Sequence, residues 1–448
     1  MVSKVDRSPG TDSSGVFRRP RMILKPKKAE DIPAILQNTR SYPSPIRALG
    51  ADYSQARCVG GDGGTTLDTQ TLNKIIEIEG NLVRAQAGVR VGELVRTLAE
   101  RGLELPLTPE LANISLGAIA TATLPQPSYE DGVAHMSSCV AAVKLMTPQG
   151  KSMVVTDREP DMMRVLRSSF GLLGVVHEVI LRVRDIVPVK IDYQSYSVKE
   201  FAARFPAIVG EPGALRLQIY PFSDRITVER RIRDVDASTS RSGIWQIRNS
   251  VLKNVRPAFG SSVGGVLAVP GLKNLLLSGA AATLDRAARG VVVYAHEWMR
   301  ELPREAYKAR FTYSLWSFAQ ADFPKVLAQY VAFCQAYAKQ HRYRCNLVHN
   351  SSRLHRDRSS LFSLSYDGPA FTLEPSSTGD KGWDDFLIDF NEFASKMGGT
   401  PTFNQTRALQ PQHVSKAFGE RLKLFRSLRK RADPINRLQH SYFANLLG

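Results

Sequence analysis

The chain has 448 residues, about three times the roughly 150 of a typical domain, so two or three domains with a large core are expected. A hydrophobic content of 43% and a charged content of 23% exclude disorder as the main reading, and 32 Gly and 25 Pro without a period exclude a fibrous chain. Sixty Lys and Arg against 42 Asp and Glu leave a formal charge of +18, which favours polyanions, anionic lipid surfaces or phosphorylated ligands without choosing among them.

Residues 1–18 are polar, lack the apolar stretch of a secretory signal and are expected to be a flexible tail. From Ile23 to Arg184 short β-rich runs alternate with helical periods. MILKP is followed by a helix with Ile32, Ile35 and Leu36 on one face, then by the strand IRALG. LVRAQAG leads into the amphipathic helix VGELVRTLAERG, stopped by Gly102. The strands VAAVKLMT and KSMVVT, the helix DMMRVLRSSF and the strand VVHEVILRVR complete this region. Beyond Val187-Pro188 the pattern changes. Two strands bend at Tyr220-Pro221, and further strands are expected in RGVVVYAHEWM and FSLSYD, with a long helix FPKVLAQYVAFCQAYAKQH. Gly398-Gly399 ends this second α+β region, and a basic helix HVSKAFGERLKLFRSLRKR runs to Asp433-Pro434.

Closely spaced glycines follow the strand IRALG, at Gly50 and again at Gly60, Gly61, Gly63 and Gly64. Such spacing lets backbone N–H groups approach a diphosphate, and it equally suits a pair of hairpin turns. Neither GxGxxG at a βαβ start nor a P-loop is present. Four cysteines without a CxxC pair fit a reducing compartment and a cytoplasmic location. Eight histidines without HExxH or HxH spacing point to no catalytic metal.

Three further stretches follow in fixed order: Ala85–Val89 (AQAGV), LTPELANISLGAI from Leu107, and Phe170-Gly171 with Gly174-Val175-Val176. With the first loop they resemble the FAD-binding domain of the vanillyl-alcohol oxidase / p-cresol methylhydroxylase superfamily over about residues 20–185. The resemblance implies an α+β fold: a PCMH-type FAD-binding domain of two subdomains (residues 19–185), an α+β substrate or cap domain with a large antiparallel sheet (186–399), and a segment returning to the FAD domain (400–448). It also implies that Gly50, Ala51, Asp52, Tyr53 and Ser54 cradle the diphosphate, that Thr108, Pro109, Ser115, Gly117 and Thr121 line the flavin, and that Gly174 and Val176 offer backbone groups to the nucleotide.

The later half looks like the aldonolactone oxidases and decaprenylphosphoryl-ribose oxidases, through Tyr220-Pro221 with Asp224-Arg225 and through Arg429, Asp433-Pro434, Asn436-Arg437 and Tyr442. Many lactone oxidases carry a flavin-linking His where Tyr53 stands, so the expected FAD is non-covalent, with Cys58 or Cys139 the alternative attachment points. Two other departures are Leu124-Pro125, where relatives carry His-Gly, and Asn404, where the decaprenylphosphoryl-ribose oxidases place a catalytic Lys.

The activity implied is oxidation of a C–OH, or C–N, bond of a small, sugar-like or lipid-linked substrate, with dioxygen or another acceptor reoxidising the flavin. Tyr366, Asn404, Arg407 and His349 are the catalytic candidates, with Asp367 and Glu374 further polar groups of the substrate domain. The Gly- and Ala-rich residues 258–284 beside basic residues 241–253 suggest a lid, a shallow peripheral membrane contact or a plain helical hairpin. The rival reading keeps the fold without catalysis and uses the positive charge to bind nucleic acid or membrane; the basic residues 421–431, with Leu424, Phe425 and Leu428 on one face, read first as a packed amphipathic helix.

Overall fold

The computed structural model describes residues 20–56, 58, 62–237, 243, 283 and 286–448. The expected tail, the lid or membrane segment with most of its basic flank, and Gly60-Gly61 lie outside the described residues. No helix among the described residues is long and apolar enough to cross a membrane.

The three largest sheets among the described residues organise the chain. In the first, Thr65–Asp68 lies between Met22–Leu24 and Ile46–Leu49, all parallel. Leu24, Ile32, Leu36, Ile46 and Leu67 form its core, and Leu438 from the far end of the chain joins them. The second is an antiparallel sheet in the order Ile75–Glu79, Leu82–Gln86, Val175–Arg182, Val140–Met146 and Ser152–Thr156. Val91–Ala99 buries Val91, Leu94, Val95 and Leu98 in this sheet's core, the apolar face its periodicity predicts.

The third sheet has eight antiparallel strands: Val291–Val293, Val189–Tyr196, Arg225–Arg233, Ala214–Tyr220, His349–Leu354, Ala370–Leu373, Trp316–Ala319 and Thr400–Pro401. Side chains alternate across a strand. On Ala214–Tyr220, Leu215, Leu217 and Ile219 join the apolar core with Phe201 and Phe205 of the helix Val198–Gly210. Helices Phe323–His341 and Trp383–Lys396 complete that layer, where Phe323 stacks on Phe371 at 4.6 Å between ring centroids. The opposite face carries Arg216, Asn350 and Ser352, and it looks toward the first two sheets.

Three expected elements differ. The strand expected in RGVVVYAHEWM is only Val291–Val293, because Glu297 accepts the Tyr294 N–H at 2.7 Å and winds the chain into a 3₁₀ turn. The expected strand FSLSYD is a run of turns; the Ser365 N–H donates to Ser363 Oγ at 3.2 Å, a local bond that competes with sheet pairing. The basic helix extends over Pro411–Ala432 but breaks at Gly419, whose φ of 46° only glycine adopts freely.

Candidate functional site

A cavity of about 540 Å³ lies between the third sheet and the loops of the first two, within the range of small-molecule and cofactor sites. The first wall is the loop after Ile46–Leu49. Gly50 is required there because a Cβ would sit 2.2 Å from Ser115 Oγ, so the loop closes directly on the residue that begins the helix Leu116–Thr121. Asp52 holds a φ of 58°, and the N–H groups of Ala51, Asp52, Tyr53 and Ser54 donate to no described residue. Side chains anchor the loop instead. Arg304 Nε and Lys308 Nζ donate to Asp52 Oδ2 at 2.9 and 2.6 Å, and Tyr53 Oη donates to the Leu302 carbonyl at 2.6 Å. The Tyr53 and Tyr307 rings are 5.0 Å apart, and Gln55 Nε2 donates to Tyr307 Oη at 2.9 Å.

The second wall runs from Pro109 to Ala122, where the Gly117 N–H bonds the Ala87 carbonyl at 2.8 Å. The third is the turn before Val175–Arg182. Phe170 and Gly171 have φ of 49° and 75°, and the buried Arg47 donates from Nη2 to the Phe170 carbonyl at 2.6 Å and from Nη1 to the Leu438 carbonyl at 3.1 Å. Phe403–Arg407 packs on the first loop: the N–H groups of Gln55 and Ala56 donate to the Asn404 carbonyl at 2.9 and 3.1 Å.

The floor is polar. Arg216 pairs with Glu110, which also accepts from Arg231 Nη2 at 3.1 Å, and Arg216 Nη2 points at Asn350 Oδ1 at 3.4 Å. Burial alone would raise the Glu110 carboxyl, but the charges of Arg216, Arg300 and Arg231 outweigh it and hold the group well below the usual carboxylate range. Glu374 lies beside them. Burial raises its carboxyl, against a hydrogen bond from Thr372 and the charge of Arg216, while Glu110 adds to the rise.

Of the residues expected to hold the cofactor, Gly50, Ala51, Asp52, Tyr53, Ser54, Pro109, Ser115, Gly117, Thr121, Gly174 and Val176 line the cavity. Thr108 is buried just outside it, with its carbonyl accepting from Trp298 Nε1 at 3.3 Å. Leu124, Pro125 and Cys58 are in the lining and Cys139 is not. Asn404 lines the cavity, 2% exposed, and its Oδ1 has no hydrogen-bond partner.

The other three catalytic candidates lie elsewhere. His349 points to the helical side of the sheet, its Nδ1 2.5 Å from Tyr330 Oη, and burial pushes its imidazole down to about 3. Tyr366 lies against the guanidinium groups of Arg421 and Arg358, at 4.4 and 5.4 Å from its ring centroid. Arg407 pairs with Asp384 at 3.0 Å. Of the polar groups that face the cavity, Glu374 was named from sequence, whereas Glu110, Arg216, Arg300 and Asn350 were not singled out. Only the YPFSDR segment hinted at the importance of the strand that carries Arg216.

The donor set suits an FAD. Four backbone N–H groups without a partner among the described residues fit an anionic diphosphate, the long lining is mostly apolar as a fused ring system needs, and Asn404 Oδ1, likewise without a described partner, accepts a hydrogen bond from whatever lies against it.

Residues 20–156 match the family described as FAD binding domain. The D-arabinono-1,4-lactone oxidase of Eremothecium gossypii is 24% identical over 258 residues, which cover 53% of this chain and 48% of that protein. The mitochondrial L-galactono-1,4-lactone dehydrogenase of Brassica oleracea is 28% identical over 171 residues, covering 36% of this chain and 27% of its own. The matches therefore span half or less of these relatives' length. Cholesterol oxidase of Brevibacterium sterolicum superposes with a TM-score of 0.77 at 14% identity, covering 100% of this chain and 97% of the other.

Proposed function

From the premise that this chain carries an FAD-binding domain in a PCMH-type fold, we propose that it is an FAD-dependent oxidoreductase acting on a C–OH bond of a small, sugar-like or lipid-linked substrate. One observation carries the reading: a single cavity has the glycine-closed backbone loops on one side and the polar face of the antiparallel sheet on the other. Residues 19–185 and 400–448 hold the cofactor, and residues 186–399 present the substrate. The protein acts in the cytoplasm.

When bound, the flavin supplies a two-electron acceptor for the hydride of the substrate carbon, and dioxygen or another acceptor regenerates it. The chain's own groups bind and orient. The N–H groups of residues 51–54, without partners among the described residues, would take the diphosphate, and Asn404 Oδ1 would accept a hydrogen bond from a ligand N–H or O–H other than the hydroxyl that is oxidised. An amide orients such a group without removing its proton. The cofactor is held without a covalent bond: Tyr53 Oη is engaged with the Leu302 carbonyl, and burial raises the Cys58 thiol, which keeps it protonated and weakly nucleophilic.

Purified protein tests the proposal directly. It should be yellow and release its flavin into acid. Without oxygen, D-arabinono-1,4-lactone, L-galactono-1,4-lactone or cholesterol should bleach it. Colourless protein that cannot be reconstituted with FAD would overturn the reading.

A further inference from the structure

We infer that Glu374 is the catalytic residue that accepts the proton of the substrate hydroxyl, with Asn350 and Thr372 as positioning residues; this deepens the oxidoreductase reading and rests on it. Glu374 follows the strand Ala370–Leu373 and faces the cavity. Its backbone is fixed by two hydrogen bonds with Asn350, at 3.1 and 2.9 Å.

The carboxyl is oriented as well. The Ser352 N–H donates to Thr372 Oγ1 at 2.9 Å, so the single hydroxyl hydrogen of Thr372 is directed at Glu374 Oε1, also at 2.9 Å. Oε1 is thereby held as an acceptor, and Oε2 is the oxygen left to take a proton.

The surroundings suit that task. Arg216, the cation whose charge acts on Glu374, is already paired with Glu110, and no Lys or Arg lies within ion-pair distance of Glu374 among the described residues. Tyr307, in the helix Arg304–Arg310, and Tyr313, just after it, line the same cavity. Burial pushes the Tyr307 phenol up to about 12 and the Tyr313 phenol well up, so both stay protonated and neither competes as a base. Arg300 acts on Glu110, whose carboxylate is kept ionised among arginines, and Asn404 is an amide. Proton balance then closes. The substrate O–H proton passes to Glu374 Oε2 and the C–H pair leaves as hydride to oxidised flavin, so a C=O forms as the flavin is reduced, and the carboxyl later returns its proton to water.

The test uses the full FAD-loaded chain and Glu374→Gln. Wild type should show, by infrared spectroscopy, a carboxylic acid that titrates above the ordinary glutamate value of about 4.3 and is missing from the variant. In single-turnover bleaching with the two lactones and cholesterol, the variant should be at least about 100-fold slower. It should also lack the acid limb of the wild-type pH profile, and Glu374→Asp should restore part of the rate with the limb displaced. Wild-type-like bleaching within threefold, with the acid limb intact, overturns the assignment; so does an infrared titration identical in both proteins. A wild type that takes up no FAD, or that none of the three compounds bleaches, overturns the oxidoreductase reading instead, a result distinguishable because it appears before any substitution.

Discussion

Two buried polar clusters in this molecule differ in one respect. Around Asp357, every acceptor is satisfied by the protein itself: Oδ2 accepts from the Ala134 N–H at 3.0 Å, His135 Nδ1 at 3.1 Å and Ser138 Oγ at 2.5 Å, and Oδ1 from the Ser359 N–H at 2.8 Å. The Leu364 N–H donates to His135 Nε2 at 3.2 Å, which assigns the ring hydrogen to Nδ1. Around the cavity, by contrast, Asn404 Oδ1 has no partner among the described residues, and Glu374 lines the open space with a hydrogen bond from those residues to only one of its oxygens. A closed cluster joins segments far apart in the chain and stabilises. An open one leaves groups ready for a ligand, at a cost to stability.

Breaking the closed cluster should have the largest effect. Asp357→Ala orphans four donors and should cost roughly 3–5 kcal/mol, read from urea melts. The wild type should show the same dependence in acid. Burial opposes ionisation of Asp357, but the hydrogen bonds from His135, Ser138 and Ser359 outweigh it and lower its folded value. Its contribution is therefore fully present above the unfolded value of about 3.9 and is lost as pH falls below it.

His349 with Tyr330 is a second closed pair, and its sign follows the same logic. A buried imidazole pushed down to about 3 makes the unfolded chain bind the extra proton first. Stability should fall as pH drops from about 6.5 toward 3, by about 1.4 kcal/mol per unit at most, and His349→Leu should flatten that slope in pH-dependent melts.

The open cluster should respond in the opposite way. Glu374→Gln should raise the melting temperature at pH 7–8, because the native carboxyl resists an ionisation that the unfolded one undergoes freely. Asn404→Ala should slow flavin bleaching. The smallest effect belongs to Asp52→Asn. Its partners Arg304 and Lys308 are about half exposed, so the loss should stay below about 1 kcal/mol, visible as faster flavin release that added salt reproduces in the wild type.

The loops that build the cavity were legible because their signals are local. Gly50, Gly117 and Gly174 mark close approaches, and the amphipathic period of Val91–Ala99 fixes its buried face. Apart from Glu374, the floor was not legible, because it depends on the phase of strands. His349 and Asn350 are neighbours in sequence, yet a one-residue step reverses the face, and only the pairing of Ile219 with His349 settles which of them meets the cavity. Tyr366 misled for a related reason. LFSLSY alternates as a strand does, but its serines bond locally and the segment turns. Glu110 stood inside a stretch expected to line the flavin; its arginine partners come from residues 216, 231 and 300, a convergence no spacing announces.

Arg437 is fully buried. It donates to the carbonyls of Leu36, Tyr42, Ile35 and Asn38, and its own carbonyl accepts the Ile46 N–H at 2.7 Å. The strands of the first sheet thus lack a clasp until translation has passed residue 437. The nascent first sheet must wait, incompletely knitted, until that distant segment has been made.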